Sequence, residues 1–98
     1  MSYTIHFSEE ARTHLRQLSA RERTIVISRV EAALSDKPTR EARNLKVLRP
    51  NPLAKYELRI ADLRVFFEVK EEKREVLVLA IGRKEGNRLW VDGKEVKL

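Results

Sequence analysis

The sequence predicts an α+β domain in which one N-terminal strand is followed by a two-helix hairpin and then by an antiparallel β-meander. Three observations lead to this class: period-two alternation at the start, two helix-capping signals, and three strand-like segments in the second half. A chain of 98 residues forms one domain with a thin core. We therefore expect a single domain over residues 1–98, with a small twisted sheet and both helices on one of its faces.

The first three elements follow from local pattern. Tyr3, Ile5 and Phe7 alternate with polar residues and predict a strand with one buried face. Ser8 is positioned to cap a helix, and Ser19 with Glu22 forms a capping box that begins a second one. The second helix has a predicted core stripe, which consists of Val26, Ile27, Val30, Ala33 and Leu34.

Residues 36–54 contain all three prolines and several cations, and we interpret them as a basic connection with one short helical turn. A connection of this length without anchors is unusual in a small domain. We expect Leu45, Val47 and Leu48 to attach it to the sheet.

Three strands are predicted next, over 56–60, 63–69 and 76–81. The third is apolar on both faces and should be central. Asp92 and Gly93 then form a two-residue hairpin signal between residues 89–91 and a short returning strand.

Composition limits the partners. The chain has 21 Lys and Arg against 15 Asp and Glu, a formal charge of +6 that suits nucleic acid, an anionic membrane or an acidic protein. With no cysteine there is no disulfide, thiolate metal site or cysteine nucleophile. We see neither a signal peptide nor an apolar run of membrane-spanning length, and we expect a cytoplasmic protein without a membrane partner.

A two-residue turn at Ala61 and Asp62 would set Arg59 directly opposite Arg64, on the sheet face that the helices leave open. Like charges in such a pair are mildly destabilising, so an anion or a carboxylate should occupy the space between them. Further residues are expected near this face: Lys55, Arg83, Lys84, Arg88 and Trp90, with Arg43, Lys46 and Arg49 from the basic connection.

A basic groove with an aromatic margin suits single-stranded nucleic acid, because phosphates take the charges and a base can stack. The structural alternative is that Arg59 pairs with Glu57 or Glu68, the other cations are solvated, and Trp90 closes the end of the core. The residues alone leave both interpretations open.

Other chemistry has weaker support. His6 lies on the first strand and His14 in a helix, so they are not expected to cooperate in proton transfer. Glu71, Glu72 and Glu75 look like a charged hairpin tip rather than a metal site. The three glycines fit no phosphate-binding loop, and we expect no metal and no cofactor.

The segments YELRI (56–60), LRVFFEV (63–69) and LAIGRK (79–84), together with NLKVL (44–48), resemble the RelE/ParE toxin superfamily, and the order of elements agrees. The likeness covers nearly the whole chain. It implies the toxin of a type II toxin-antitoxin module, with a cognate antitoxin as partner and operator DNA contacted only through that antitoxin.

Two activities share this fold. RelE-like members cleave mRNA in the ribosomal A site without a metal: the 2′-hydroxyl attacks the adjacent phosphate while basic side chains assist. ParE-like members instead inhibit DNA gyrase without catalysis. A third alternative is a catalytically degenerate relative that only binds its antitoxin.

The resemblance to RelE implies catalytic roles for Lys55, Arg64 and the cation at Lys84, with Arg83 adjacent. Glu57 stands where RelE has a second lysine, and Trp90 where it has a base-stacking tyrosine. We therefore hypothesise that Glu57 acts as general base beside Arg59 and Arg64, and that Trp90 keeps the stacking surface. These departures keep the gyrase alternative open.

Overall fold

The computed structural model describes residues 2–98, and these form two α-helices and seven strands. The bounds are β1 Thr4–Phe7, α1 Glu9–Gln17, α2 Ala20–Leu34, β2 Leu45–Val47, β3 Tyr56–Ile60, β4 Leu63–Lys70, β5 Glu75–Glu85, β6 Arg88–Val91 and β7 Lys94–Val96. A 3₁₀ turn, Glu71–Lys73, joins β4 to β5. The order confirms the predicted strand, helical hairpin and meander.

Both helices begin where the sequence predicts. The Ser8 side chain accepts from the backbone N–H of Ala11, and Ser19 and Glu22 form the complete capping box. The turn between the helices is tight, because α1 ends at Gln17 and α2 begins at Ala20. Arg23 reinforces it by donating to the carbonyl oxygens of Leu15 and Leu18 at the end of α1.

The sheet has the strand order β2-β3-β4-β5-β6-β7, and all these neighbours are antiparallel. β5 is central, as predicted. β4 pairs along one edge of it, whereas the other edge is shared by β1 at residues 75–78 and β6 at residues 83–85. The parallel pairing of β1 with β5 was not predicted, because periodicity does not reveal which strands become neighbours.

Two polar side chains occupy the gap between β1 and β6 along β5. Ser8 Oγ donates to the Leu79 carbonyl oxygen at 3.2 Å, and Nδ1 of His14 accepts from the Ile81 N–H at 3.1 Å. Buried backbone groups must be paired, and here α1 supplies the partners that a continuous neighbouring strand would supply.

The main core lies between the helices and one sheet face. Val26, Val30 and Leu34 of α2 pack there against alternate residues of β3, β4 and β5. The prediction for Ile27 was wrong: it is 43% exposed, because it lies on the outer side of α2.

A second, smaller core lies on the opposite sheet face. Phe66 is fully buried there, packed with Ala54, Ala80, Leu89 and Val91. The 48–54 segment and the β6–β7 hairpin thus cover part of the face that was predicted to be open. The part beside the β3–β4 turn stays accessible, since the Arg59 side chain there is 38% exposed.

The connection after α2 differs from its prediction. Residues 36–54 contain no helical turn; the chain forms β2 instead, antiparallel to β3. Leu45 anchors it and is 5% exposed, whereas Val47 is 43% exposed and does not. Reciprocal backbone bonds between Ala42 and Leu45 close a tight turn just before the strand.

β5 also runs farther than predicted, so Gly82 and Lys84 lie within it rather than beyond it. A Cβ at position 82 would lie 2.8 Å from the Trp90 carbonyl oxygen and 2.9 Å from Val91 Cγ2. Glycine is therefore what lets β6 approach the central strand at this point.

Candidate nucleic-acid interface

The β3–β4 hairpin places two arginines side by side. Ala61 has a positive φ of 54°, and the two-residue turn sets Arg59 opposite Arg64 and Glu57 opposite Phe66. This is the predicted register. Because Leu58 and Val65 face the helices, strand alternation directs Arg59 and Arg64 to the other side of the sheet. We call the surface around this pair the arginine face.

Arg59 has a partner within its own strand. Its Nε donates to Glu57 Oε1 at 3.1 Å, and the Glu57 side chain is only 7% exposed, against 38% for Arg59. The structural alternative for Arg59 is thus confirmed as regards Glu57. Glu68 has a different role, since its carboxylate accepts from the backbone N–H of Lys55 at 2.8 Å.

Arg64 is held differently. Its Nη1 donates to the carbonyl oxygens of Ala61 and Leu63 at 2.8 and 2.9 Å. Its Nε is buried and has no hydrogen-bond partner among residues 2–98. A buried donor left unpaired costs about 1–3 kcal/mol, and functional sites are where such costs are commonly retained.

Successive side chains of a strand point to opposite sides of the sheet, and this alternation directs other cations to the arginine face. Lys46 is opposite Glu57, so it points to the same side as Arg59. Gly82 is opposite Arg64, and Lys84, two residues farther along β5, shares its side. Lys55 lies just before β3 at the other end, with its Nζ 5.7 Å from the centre of the Tyr56 ring.

Arg83, Arg88 and Trp90 are not brought to the arginine face. Arg83 is opposite both Leu63 and Trp90, which places the three on the helix side of the sheet, and Arg88 shares that side because it pairs with Glu85. The expectation that these residues gather around Arg64 was wrong. The hydrophobic pattern predicts that the central strand ends before these residues, and alternation does not apply beyond the end of a strand.

Arg83 is instead a bridge between elements. It donates to Glu22 of α2 at 2.9 Å and to Asp62 of the β3–β4 turn at 2.8 Å. The hydrogen bonds to Glu22 and then Asp62 raise the pKa of Arg83, and the bond from Arg83 lowers the pKa of Glu22. These contacts fix the β3–β4 turn relative to α2.

Arg43 and Arg49 lie on exposed segments on either side of β2. Arg43 lines a cleft of about 570 Å³ beside α2, and Arg49 lines a smaller pocket, of about 350 Å³, that also includes Lys55 and Glu68. The two arginines therefore face different concave regions.

Neither histidine belongs to the arginine face. His14 is buried in contact with β5, and His6 Nε2 lies 3.2 Å from Glu75 Oε2 at the far end of the same strand. Within residues 2–98, no three His, Cys, Asp or Glu side chains cluster as metal ligands would. No helix in this part of the chain is long and apolar enough to cross a membrane.

Comparison with solved structures identifies close matches to the whole fold. A toxin-antitoxin complex, RelBE2 from Mycobacterium tuberculosis, contains a chain with a TM-score of 0.75 and 25% identity, covering 86% of this chain and 93% of that one. A mutant of the E. coli toxin RelE in the free state matches with a TM-score of 0.69 and 26% identity, covering 87% and 86%.

The intact E. coli RelBE toxin-antitoxin complex also matches, with a TM-score of 0.56 at 19% identity over 86% of this chain and 99% of that one, which bears on the fold alone. No family model matches the sequence, and no curated protein matches it. The structural neighbours show that the chain is RelE-like, with the α+β fold of these toxins.

Proposed function

We propose that this RelE-like chain is the toxin of a type II toxin-antitoxin module and that it cleaves mRNA in the ribosomal A site. The observation that carries the proposal is the direct pairing of Arg59 with Arg64 on the open part of the sheet. Two arginines directly opposite each other on neighbouring strands suit a phosphate, whose oxygens can accept hydrogen bonds from both.

In the proposed reaction the 2′-hydroxyl of one nucleotide attacks the adjacent phosphate, the bond to the 5′-oxygen breaks as that oxygen takes a proton from a basic side chain, and a cyclic phosphate forms. Arg64 stabilises the charge that develops on the phosphate oxygens, which is where electrostatic catalysis contributes most. Its bonds to Ala61 and Leu63 hold the guanidinium in place before substrate binds. Lys55 and Lys84 stand at opposite ends of the face and supply further positive charge.

Glu57 is proposed as the general base that takes the 2′-hydroxyl proton. It lies next to the arginine pair, 3.1 Å from Arg59 Nε. With its side chain 7% exposed, it is shielded from water. A carboxylate in this position can either accept the proton or only orient Arg59, and substitution separates the two roles.

The sides of the sheet on which Lys84 and Arg83 lie support the choice of Lys84 as the cation that assists Arg64. Lys84 is on the same side as Arg64, whereas Arg83 is bound to Glu22 and Asp62 on the helix side. We therefore assign the phosphate-stabilising role to Lys84. Trp90 is also on the helix side, so base stacking by its indole would need RNA to reach that side of the sheet.

A cognate antitoxin is the proposed protein partner, because the chain from Mycobacterium tuberculosis with the same fold is in a toxin-antitoxin complex. Contact with operator DNA would be made through that antitoxin. Inhibition of DNA gyrase is the second candidate function. It is favoured by the Glu57–Arg59 ion pair, which removes part of the positive charge that an RNA-cleaving face requires.

The test is primer extension on a defined mRNA after the purified protein is added to a translating extract. We expect cuts at A-site codons that require ribosomes and disappear with Arg64→Ala. Arg12→Ala is the matched control, since Arg12 is an exposed arginine on α1, away from the face. Equal cutting by both variants would move the active surface elsewhere. No cutting by the unmodified protein, together with blocked DNA supercoiling, would establish the gyrase alternative.

A further inference from the structure

Lys55 ends the irregular segment, residues 48–55, that joins β2 to β3. It is exposed, and within residues 2–98 its ammonium forms no ion pair with a carboxylate. A lysine side chain is long and flexible, so the position of its backbone largely decides where the charge can be delivered. The groups that hold the backbone of Lys55 therefore bear on its use at the arginine face.

Both backbone groups of Lys55 are paired. Its N–H donates to Glu68 Oε2 at 2.8 Å, and its carbonyl oxygen accepts from the Leu48 N–H, also at 2.8 Å. The second bond continues the β2–β3 ladder by one residue beyond Val47 and Tyr56. In the first bond the acceptor is a carboxylate rather than a strand carbonyl, and hydrogen bonds to ionised acceptors are the stronger kind.

The register of β3 with β4 brings Glu68 to this position. Tyr56 pairs with Phe67, and both rings belong to the core under the helices. Lys55 precedes the first of these residues and Glu68 follows the second, so the two lie opposite each other across the strands. By alternation both are on the other side of the sheet, which is the side of the arginine face.

The segment that precedes Lys55 is held in one shape by Asn51. The Asn51 Oδ1 accepts from the N–H groups of Leu53 and Ala54 at 2.8 and 3.2 Å. Its Nδ2 donates to the carbonyl oxygens of Arg49 and Ala54 at 2.7 and 2.9 Å. Both donors of the side-chain amide are thus used. Ala54 is 7% exposed and belongs to the second core, which anchors the chain directly before Lys55.

We propose that Glu68 is a positioning residue for mRNA cleavage: it fixes the backbone of Lys55 so that the ammonium is presented on the arginine face. This inference rests on the function proposed above. Because the carboxylate is bound to the backbone N–H, the ammonium keeps its charge for a phosphate. Glu57 contrasts with it, since that carboxylate binds the side chain of Arg59 and offsets its charge.

Removal of Glu68 has opposite effects under the two roles that a carboxylate can have beside a basic face. If Glu68 acted only through its negative charge, its loss would strengthen the binding of RNA phosphates and leave the cleavage step unimpaired. If it positions Lys55, its loss should slow cleavage of the bound message, because a misplaced cation stabilises the developing charge less well.

The experiment is single-turnover cleavage of ribosome-bound mRNA at saturating protein. Glu68→Ala should be at least about tenfold slower than the unmodified protein. Glu68→Gln should stay within a few-fold of it, because the amide oxygen can accept the same N–H. Glu72→Ala is the matched control and should cut normally: Glu72 is an exposed carboxylate on the 3₁₀ turn, at the far end of β4.

A Lys55→Met background separates positioning from general damage to the fold. Glu68 acts through Lys55, so Glu68→Ala should cause no further slowing once the ammonium is gone. Hydrogen exchange at the Lys55 amide, followed by NMR on the ¹⁵N-labelled protein, reports on the bond itself. It should be at least about tenfold faster in Glu68→Ala than in the unmodified protein or Glu68→Gln.

Four results would overturn the inference while leaving the nuclease proposal intact. They are normal or faster cutting by Glu68→Ala, equal slowing by Glu68→Gln and Glu68→Ala, further slowing in the Lys55→Met background, and unchanged exchange at the Lys55 amide. An unmodified protein that cuts no message is a different outcome, because it would overturn the proposed function and this inference together.

Discussion

The imidazole of His14 accepts a hydrogen bond from the backbone N–H of Ile81, 67 residues away in the sequence, at 3.1 Å. Ile81 lies in the part of β5 between the residues that pair with β1 and those that pair with β6, so its N–H has no partner from a neighbouring strand on that edge. His14 supplies the missing acceptor. The bond also fixes the chemical form of the residue: Nδ1 must be unprotonated in order to accept, so in the neutral ring the proton is on Nε2. His14 therefore stabilises the fold through this hydrogen bond.

Replacing His14 by alanine should lower the free energy of unfolding by about 1–3 kcal/mol, because the buried N–H of Ile81 loses its acceptor. Urea denaturation measures the change. His6→Ala is the control, since His6 is exposed and its contact with Glu75 is worth at most about 1 kcal/mol. Similar losses in the two variants would contradict the role assigned to His14.

Glu57→Gln distinguishes a base from a positioning group. Glutamine still accepts a hydrogen bond from Arg59 but cannot take a proton. If Glu57 is the general base, single-turnover cleavage of ribosome-bound mRNA should slow by about 100-fold or more, the usual contribution of such a group. A rate within a few-fold of the unmodified protein would show that the carboxylate only orients Arg59.

Arg83→Met should leave mRNA cleavage within a few-fold while lowering stability, because Arg83 is bound to Glu22 and Asp62 rather than directed to the arginine face. Lys84→Met is the matched change on that face and should slow cleavage strongly. The opposite result, with Arg83 needed and Lys84 dispensable, would contradict the choice of Lys84.

The stability lost in Arg83→Met should depend on pH. Arg83 lowers the pKa of Glu22 in the folded protein, so the ion pair stabilises at pH values above the ordinary glutamate pKa of 4.5. That contribution is lost as pH falls through the lowered pKa of the folded state. Both side chains are partly exposed, so the difference at pH 7 should be about 1 kcal/mol.

Urea titrations at pH 7 and pH 3 measure this dependence. The difference between the unmodified protein and Arg83→Met should shrink in acid. Glu22→Gln serves as control: it removes the charge but keeps an acceptor for the capping-box bond from Ser19. A difference that stayed constant with pH would show that Arg83 acts by packing rather than by charge.

Gly82→Ala should destabilise the protein by about 1–3 kcal/mol, because the added methyl group meets the Trp90 carbonyl oxygen and Val91. Gly86 provides the comparison. Its φ is +62° and the space around it is open, so Gly86→Asn should be tolerated. Thermal unfolding of both variants tests this, and a stable Gly82→Ala protein would mean that β6 can shift outward.

The features that could be predicted from the sequence are those set by interactions between residues close together in the chain. Caps at Ser8 and Ser19, the turn at Ala61 and Asp62, and the register of Arg59 with Arg64 all depend on neighbouring residues, and each was confirmed. The pairing of β1 with β5 depends on contacts distant in sequence and was not predicted.

The errors at the site have the same origin. The sheet face of Arg64 was expected to be open, yet residues distant in sequence cover Phe66 on that face. Arg83 and Trp90 were misplaced because the end of the central strand was predicted four residues too early, at Ile81 rather than Glu85. Beyond the predicted end, alternation gave no information about the side on which each side chain lies.

The parallel pairing of β1 with β5 also sets an order for events during synthesis. Thr4 pairs with Glu75, so the first strand has no partner until about three quarters of the chain has left the ribosome. The hairpins of β3, β4 and β5 close over short distances and can form earlier, since short loops cost less entropy. A chain interrupted before residue 75 would retain an unpaired apolar β1 and should be recognised by chaperones and proteases as unfinished.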